Sequence, residues 1–173
     1  MRGMRYWWVN QNQTYRAEVR GNFMWSPQAN ANGARNQFYE NMRQVAPGDI
    51  VFSFCDTRIK AVGVVTGTAQ VAPKPDFGTA GLNWSKEGWF VPVYYCTFDG
   101  PIRPKDHIAI LRHFLPVRYS PLQANGDGYF AEVPDSMADA LNCSNACSSK
   151  LRTRRAASTL SSAMNAQMAS MLS

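Results

Sequence analysis

The residues whose types and spacing could do chemistry are aromatic rings and amides placed next to chain-breaking residues. Trp25, Trp84 and Trp89 each lie close to Pro or Gly, and Asn10-Gln11-Asn12-Gln13 follows an aromatic, β-branched segment. Amides hydrogen-bond the Watson–Crick edge of a base, and indole faces stack on bases for roughly 1–3 kcal/mol each. Trp25 and Trp84 read as the loop pair that faces a pocket, whereas Trp89, at the start of a strand, reads as core. A core role competes for every one of them, because Trp is largely buried on average. The candidate base-binding set is Asn10, Gln11, Trp25, Ser26, Ser53, Phe54, Asp56, Trp84, Tyr119 and Ser120. Ser53 alternates with Phe52 and Phe54, so it faces away from whatever they face, and a solvated strand residue explains it as well as a site residue does. Asp56 opens a turn, where Asp is common for backbone reasons alone. Candidate phosphate contacts are Arg35, Arg58, Lys60, Lys74 and Lys86, each equally readable as a solvated surface charge.

Catalytic patterns are missing from the sequence. Nucleophilic hydrolysis pairs Ser or Cys with a His and an orienting acid, but both histidines, His107 and His113, fall in one short segment. There is no nucleophile elbow, no phosphate-cradling glycine loop and no paired histidine–carboxylate motif. The four cysteines, Cys55, Cys96, Cys143 and Cys147, form neither a disulfide framework nor a zinc quartet and read as reduced thiols. The expectation is a binding domain with no catalytic residue, no cofactor and no metal.

The elements that must position these residues alternate short strands with short helices. Arg5 to Asn10 reads as a first strand, and the polar stretch up to Gly21 carries no clear element. Phe23 to Pro27 reads as a loop bearing Trp25, since Pro disfavours helix before it. Phe38, Met42 and Val45 give Ala34–Val45 an amphipathic helical face, stopped by Pro47-Gly48-Asp49. Ile50–Cys55 and Ile59–Thr68 flank a turn at Asp56-Thr57-Arg58 and read as a hairpin. After the 73–88 loop, Trp89–Phe98 is a strand whose Pro92 favours an edge or a bulge. Lys105–Leu115 reads as a helix, Tyr129–Val133 as a last strand and Asp135–Leu141 as a last helix. Such an order describes a small curved or barrel-like sheet flanked by helices.

The chain has 173 residues, 45% hydrophobic and 12% aromatic, enough for one domain with one core. Its net charge of +6 is unevenly spread: residues 1–142 hold 14 basic and 12 acidic residues, and the remaining +4 sits in 143–173. That mildly basic body permits phosphate contacts without making charge the main source of binding. No apolar run reaches the roughly 18 residues of a membrane span, and the start leads directly into a strand, so the chain reads as cytoplasmic. Residues 143–173, rich in Ser, Ala, Met and Arg, read as a disordered or helical tail to a base-binding domain at 1–142.

The ordered set of motifs carries a resemblance. Tyr6-Trp7-Trp8-Val9-Asn10-Gln11, Thr14-Tyr15, Glu18, Gly21 and Trp25-Ser26-Pro27 precede Pro47-Gly48-Asp49-Ile50-Val51-Phe52-Ser53-Phe54 and Ile59-Lys60-Ala61-Val62-Gly63. Together they resemble the EVE domain of the PUA-like superfamily, whose relatives include YTH, ASCH and SRA-like domains. Phe77-Gly78, Glu87-Gly88-Trp89, Pro101-Ile102, Lys105-Asp106-His107-Ile108 and Tyr119-Ser120-Pro121-Leu122 are similar to the version fused to modification-dependent HNH restriction endonucleases. The resemblance spans about residues 5–141. It implies an α+β fold with a PUA-like curved mixed β-sheet, or pseudo-barrel, flanked by short helices. It also implies a reader of a flipped 5-methylcytosine or 5-hydroxymethylcytosine in double-stranded DNA, working with a nuclease partner or fused nuclease domain. No HNH-like cluster follows Leu141, so cutting is expected elsewhere. An RNA or tRNA reader of PUA-like type, and a scaffold with a vestigial pocket, stand as alternatives.

Overall fold

A computed structural model of the chain describes residues 3–111 and 130–136. Strand β1 (Tyr6–Asn10) leads into helix α1 (Tyr15–Gly21) and strand β2 (Phe23–Pro27), then into helix α2 (Gln37–Asn41). Strands β3 (Ile50–Cys55), β4 (Arg58–Val65) and β5 (Gln70–Pro73) follow, and β6 (Glu87–Ile102) is the longest at 16 residues. A 3-10 turn at Pro104–His107 runs into α3 (Ile108–Leu111), and β7 (Phe130–Val133) returns to the sheet. The strands line up as β2-β6-β4-β3-β1-β7 with β5 also on β6. The pair β1–β3 is parallel and the other pairs are antiparallel, so this is a curled mixed half-barrel with few short helices, the PUA-like architecture that the resemblance implies.

Curvature comes from identifiable places. The β3–β4 register slips between Ser53 and Phe54, where Ser53 faces Ala61 but Phe54 faces Ile59, leaving Lys60 as the extra residue of a bulge. Strand β6 changes partners along its length: Gly88–Pro92 pairs with β2, while Val93–Ile102 pairs with β4. Pro92, which has no N–H to donate, sits at that change, on a strand between β2 and β4 rather than at the sheet edge or bulge that its sequence context favours.

Both faces of the sheet are buried, and this changes the reading of the first strand. Alternation requires only one of Trp7 and Trp8 to face a core, yet Trp7 is 1% exposed and Trp8 0%. Trp8 packs with Phe52, Ile59, Val62 and Val133 on one face, and Trp7 packs with Met24, Met42, Val45, Val51 and Val91 on the other. Trp7 also donates from its indole nitrogen to Asp49 Oδ2 at 2.9 Å. Asp49 thus ties β1 to the turn before β3, since its Oδ1 accepts from the Arg5 N–H at 3.0 Å and its Oδ2 from that of Ala46 at 3.1 Å.

Several elements differ from their sequence expectation. The polar stretch before Gly21 contains α1, whose end is closed by Asn22 in the left-handed region (φ 58), its N–H bonded to Glu18 O. The Trp25 segment is strand β2 rather than a loop, because residues 23–27 pair with residues 88–92 of β6. Helix α2 covers only the middle of the expected 34–45 span, although Met42 and Val45 are buried as its periodicity anticipates. Cys96 is disulfide-bonded rather than reduced, whereas Cys55 is free and buried. His113, Tyr119, Ser120, most of the expected last helix and the segment 143–173 lie outside the described residues. No helix among the described residues is long and apolar enough to cross a membrane.

Candidate base-binding cleft

The second core face opens into a cleft of about 630 Å³ between the C-terminal end of β1, the loop after it, β2 and α2. Val9, Met24 and Met42 continue the core into its wall, while Asn10, Gln11, Asn12, Gln13 and Thr14 bring polar groups to it. A mixed apolar and amide lining of this size suits a small, mostly planar ligand with hydrogen-bonding edges.

The floor is a closed hydrogen-bond network centred on Glu18, which α1 turns inward and which is 3% exposed. Glu18 Oε2 accepts from Gln11 Nε2 at 2.7 Å and from the Trp25 backbone N–H at 3.2 Å. Its Oε1 accepts from the Thr14 hydroxyl, one helical turn earlier. Gln11 Nε2 also donates to the Tyr95 hydroxyl at 3.2 Å, and Gln11 Oε1 accepts from Ser53 Oγ. Burial drives the Glu18 carboxyl up to about 7, against the opposing pull of its bonds to Thr14, Gln11 and the Trp25 N–H. Burial, and then the nearby Glu18 charge, hold the Tyr95 phenol well above its ordinary range, so it stays protonated.

The aromatic end is built by three chain segments. The Trp25 and Trp84 rings stack at 6.1 Å and 26°, and Phe77 sets its edge against both, at 5.8 Å from Trp25 and 6.0 Å from Trp84. Trp25 is 4% exposed and points its indole N–H toward Ala72 O at 3.4 Å, whereas Trp84 is half-buried. Two glycines leave room for this stack. A Cβ on Gly88 would stand 2.2 Å from Ser26 O and 2.4 Å from the Trp25 ring. One on Gly81, whose φ is +64, would stand 2.2 Å from the Trp84 ring. Since 6.1 Å lies within the roughly 4.5–7 Å range of a direct aromatic pair, the rings touch each other and leave no slot between them.

The structure brings together five of the expected base-binding residues, Asn10, Gln11, Trp25, Ser26 and Trp84, around this one cleft. Ser53 lies beneath it, 0% exposed and bonded to Gln11 rather than to solvent. Asp56 is at the exposed hairpin tip beside the cleft, its N–H donating to Asn12 Oδ1 at 2.9 Å. Phe54 is elsewhere: it packs against Trp8, ring centroids 5.0 Å apart, on the opposite face of the sheet. Among the candidate phosphate contacts, Arg35, Arg58 and Lys86 are exposed. Lys60 is paired with Asp56 at 2.6 Å, and Lys74 donates to Gly81 O at 3.0 Å. The Asp56 carboxylate is held below its usual range by that Lys60 contact.

Sequence reasoning missed Glu18, Thr14 and Tyr95 as site residues, and also Phe77, Tyr39 and Asn36. The Thr14-to-Glu18 spacing of four is the only local signal for the floor; Tyr95 reaches it from 84 residues away from Gln11. Among the described residues no group of three His, Cys, Asp or Glu side chains could hold a metal ion.

The described residues thus form a curled mixed half-barrel with a polar-floored, aromatic-walled cleft. In comparisons with solved structures, the chain is similar to a Pseudomonas putida protein at 14% identity and TM-score 0.53, covering 80% of this chain and 97% of that one. It is similar as well to a hypothetical protein from Leishmania major at 12% identity and TM-score 0.51, covering 80% and 92%. Human THYN1, in complex with 5-methylcytosine-containing DNA, aligns at 11% identity and TM-score 0.49 over 79% of this chain and 95% of that one. At these identities the likeness is one of fold. No family model matches the chain, and no curated protein matches it in sequence.

Proposed function

We propose that this domain is a non-catalytic reader that binds one modified nucleobase, 5-methylcytosine or 5-hydroxymethylcytosine, flipped out of double-stranded DNA. The observation that carries the reading is the Trp25–Trp84–Phe77 cluster at the end of a cleft whose other walls present amides. Opening a duplex at one base costs a few kcal/mol, and stacking plus edge hydrogen bonds offset it. The base meets the Trp25–Trp84 stack from the cleft side, since the two rings already touch. Asn10, which is half-buried at the rim, and Ser26 face the base edge; Gln11, committed to Glu18 and to Ser53, holds that wall in place. Arg35, Arg58 and Lys86, all exposed, follow the phosphates. Residues 1–142 form the reading body, and a nuclease domain or partner in a restriction or defence system acts on the bound site in the cytoplasm.

The nature of the cleft bears on the other readings. A scaffold with a vestigial pocket predicts an apolar, plugged cleft, and this one is open and amide-lined. An enzyme predicts a perturbed acid within reach of the ligand, and Glu18 is such an acid. Its oxygens, however, already accept from Thr14, Gln11 and Trp25. The reader assignment therefore treats Glu18 as a positioning residue. A gel-shift panel of duplexes carrying cytosine, 5-methylcytosine, 5-hydroxymethylcytosine or N6-methyladenine, with matched RNAs, tests the proposal. Preference for a modified-cytosine duplex is the expected result; equal binding of all probes, or preference for RNA, overturns it.

A further inference from the structure

At about 630 Å³ the cleft has more room than one base requires. Besides the tryptophans and the amides after β1, Asn30, Asn36, Phe38 and Tyr39 line it, at and just before α2. This wall has its own rigid construction. Asn36 caps α2, its Oδ1 accepting from the Phe38 N–H at 2.9 Å, while its Nδ2 donates to Asn30 Oδ1 at 3.1 Å. Asn30 in turn closes the loop ahead of it, with Asn30 N bonded to Ala34 O at 3.0 Å and Gly33 N to Asn30 O at 2.8 Å. Phe38 leans on the core and Tyr39 is half-buried. The exposed Arg35 directly precedes this wall. An aromatic ring and amides in this wall, with a cation next to it in sequence, match the face, edge and phosphate of a nucleotide.

We propose that the cleft holds two consecutive nucleotides: the modified base against the Trp25–Trp84 stack, and its neighbour on the same strand against Tyr39 and Asn36. The inference rests on the reader assignment above and deepens it, since it makes the neighbouring base part of what is recognised. A strand opened at one position thus enters as a dinucleotide, and sequence context is read from inside the cleft.

Titration of the full chain with 5-methyldeoxycytidine, with dinucleotides that add each of the four bases on either side of it, and with their unmethylated counterparts tests this directly. The second nucleotide is expected to raise affinity by roughly five- to a hundredfold, the range of one added stack, with one base and one side favoured. Tyr39→Ala should abolish most of that gain, read as the ratio of dinucleotide to nucleoside affinity within the same variant. Asn36→Asp keeps the cap acceptor for Phe38 N–H but adds a negative charge beside the incoming phosphate. It should weaken the dinucleotides alone, and it covers the case in which Tyr39→Ala fails to fold. A second nucleotide that adds nothing, a gain that survives both variants, or no binding of any dinucleotide overturns the two-nucleotide cleft. Equal affinity for methylated and unmethylated dinucleotides, with the gain and its Tyr39 dependence intact, overturns only the modified-base reading.

Discussion

Gln11 places its side-chain Nε2 2.7 Å from Glu18 Oε2 inside the fold, so an amide that the sequence offers to a ligand is spent on a buried carboxyl. The two residues are joined across the loop between β1 and α1, and Ser53 and Tyr95 bind the same amide from β3 and β6. Two strands and a helix thereby meet at the side chain of the residue that follows β1.

Glu18 makes stability depend on pH in a defined window. Its carboxyl titrates near pH 7 when folded, against an ordinary value of 4.5. Because the folded-state value is the higher one, its contribution is complete below about pH 4.5 and is lost as the pH rises to about 7. The amplitude is about 3 kcal/mol at 1.36 kcal/mol per unit. Glu18→Gln imitates the protonated form, donating to Thr14 and accepting from Gln11 and the Trp25 N–H. Urea unfolding should therefore show wild type losing about 3 kcal/mol relative to Glu18→Gln between pH 4.5 and 7.5. A flat difference across that window would mean that Glu18 ionises normally inside the fold.

Trp84 and Trp25 are unequal probes of the cleft. Trp84→Ala removes a half-buried ring and should weaken binding to a modified duplex by roughly 1–3 kcal/mol while sparing weak, salt-dependent binding to unmodified DNA. Trp25→Ala should in addition cost about 3–5 kcal/mol of stability, because that ring is part of the core. Gly81→Ala gives a third view. Its new Cβ displaces the Trp84 ring without deleting it, so binding should fall as for Trp84→Ala. Wild-type preference in both Trp84→Ala and Gly81→Ala would move the base elsewhere.

Charge reversal separates holding from reading. Arg35→Glu and Lys86→Glu change exposed cations and should weaken modified and unmodified duplexes in parallel, lowering the salt slope by about one per lost phosphate contact. Lys74→Glu is a different case, because Lys74 Nζ supports Gly81 O in the loop that carries Trp84. That variant should reduce the preference for the modified base as well. Filter binding across a salt series reads both effects, and a selective loss in Arg35→Glu would show that it contacts the base.

Truncation tests the domain boundary. Under reducing conditions, which remove the contribution of the Cys96 disulfide, a chain ending at Asn142 should melt within a few degrees of the full chain, since 143–173 offers no aromatic residue and only positive charge. A drop of ten degrees or more, of the order expected for the loss of about 3 kcal/mol or more from a domain this size, would assign the segment to the core.

Strand content was legible in the sequence wherever a run of β-branched and aromatic residues was bounded by turn residues. Ile50–Cys55 and the strand after Asp56-Thr57 are such runs, and Phe130–Val133 lies where the expected last strand does. Local pattern also put Trp25 and Trp84 in one candidate set, and they meet. Tertiary structure decided everything that depends on which face of a strand is covered. Alternation leaves one face of β1 and β3 free, but the curled sheet buries both, so Trp7 and Trp8 are core together and Ser53 is a floor residue rather than a solvated one. The polar floor was invisible for the same reason: Gln11, Glu18, Ser53 and Tyr95 are distant in sequence, and a buried polar group can be recognised only once its partners surround it. Residue types thus determined which chemistry was available, and the closure of the sheet determined which groups were left to face a ligand.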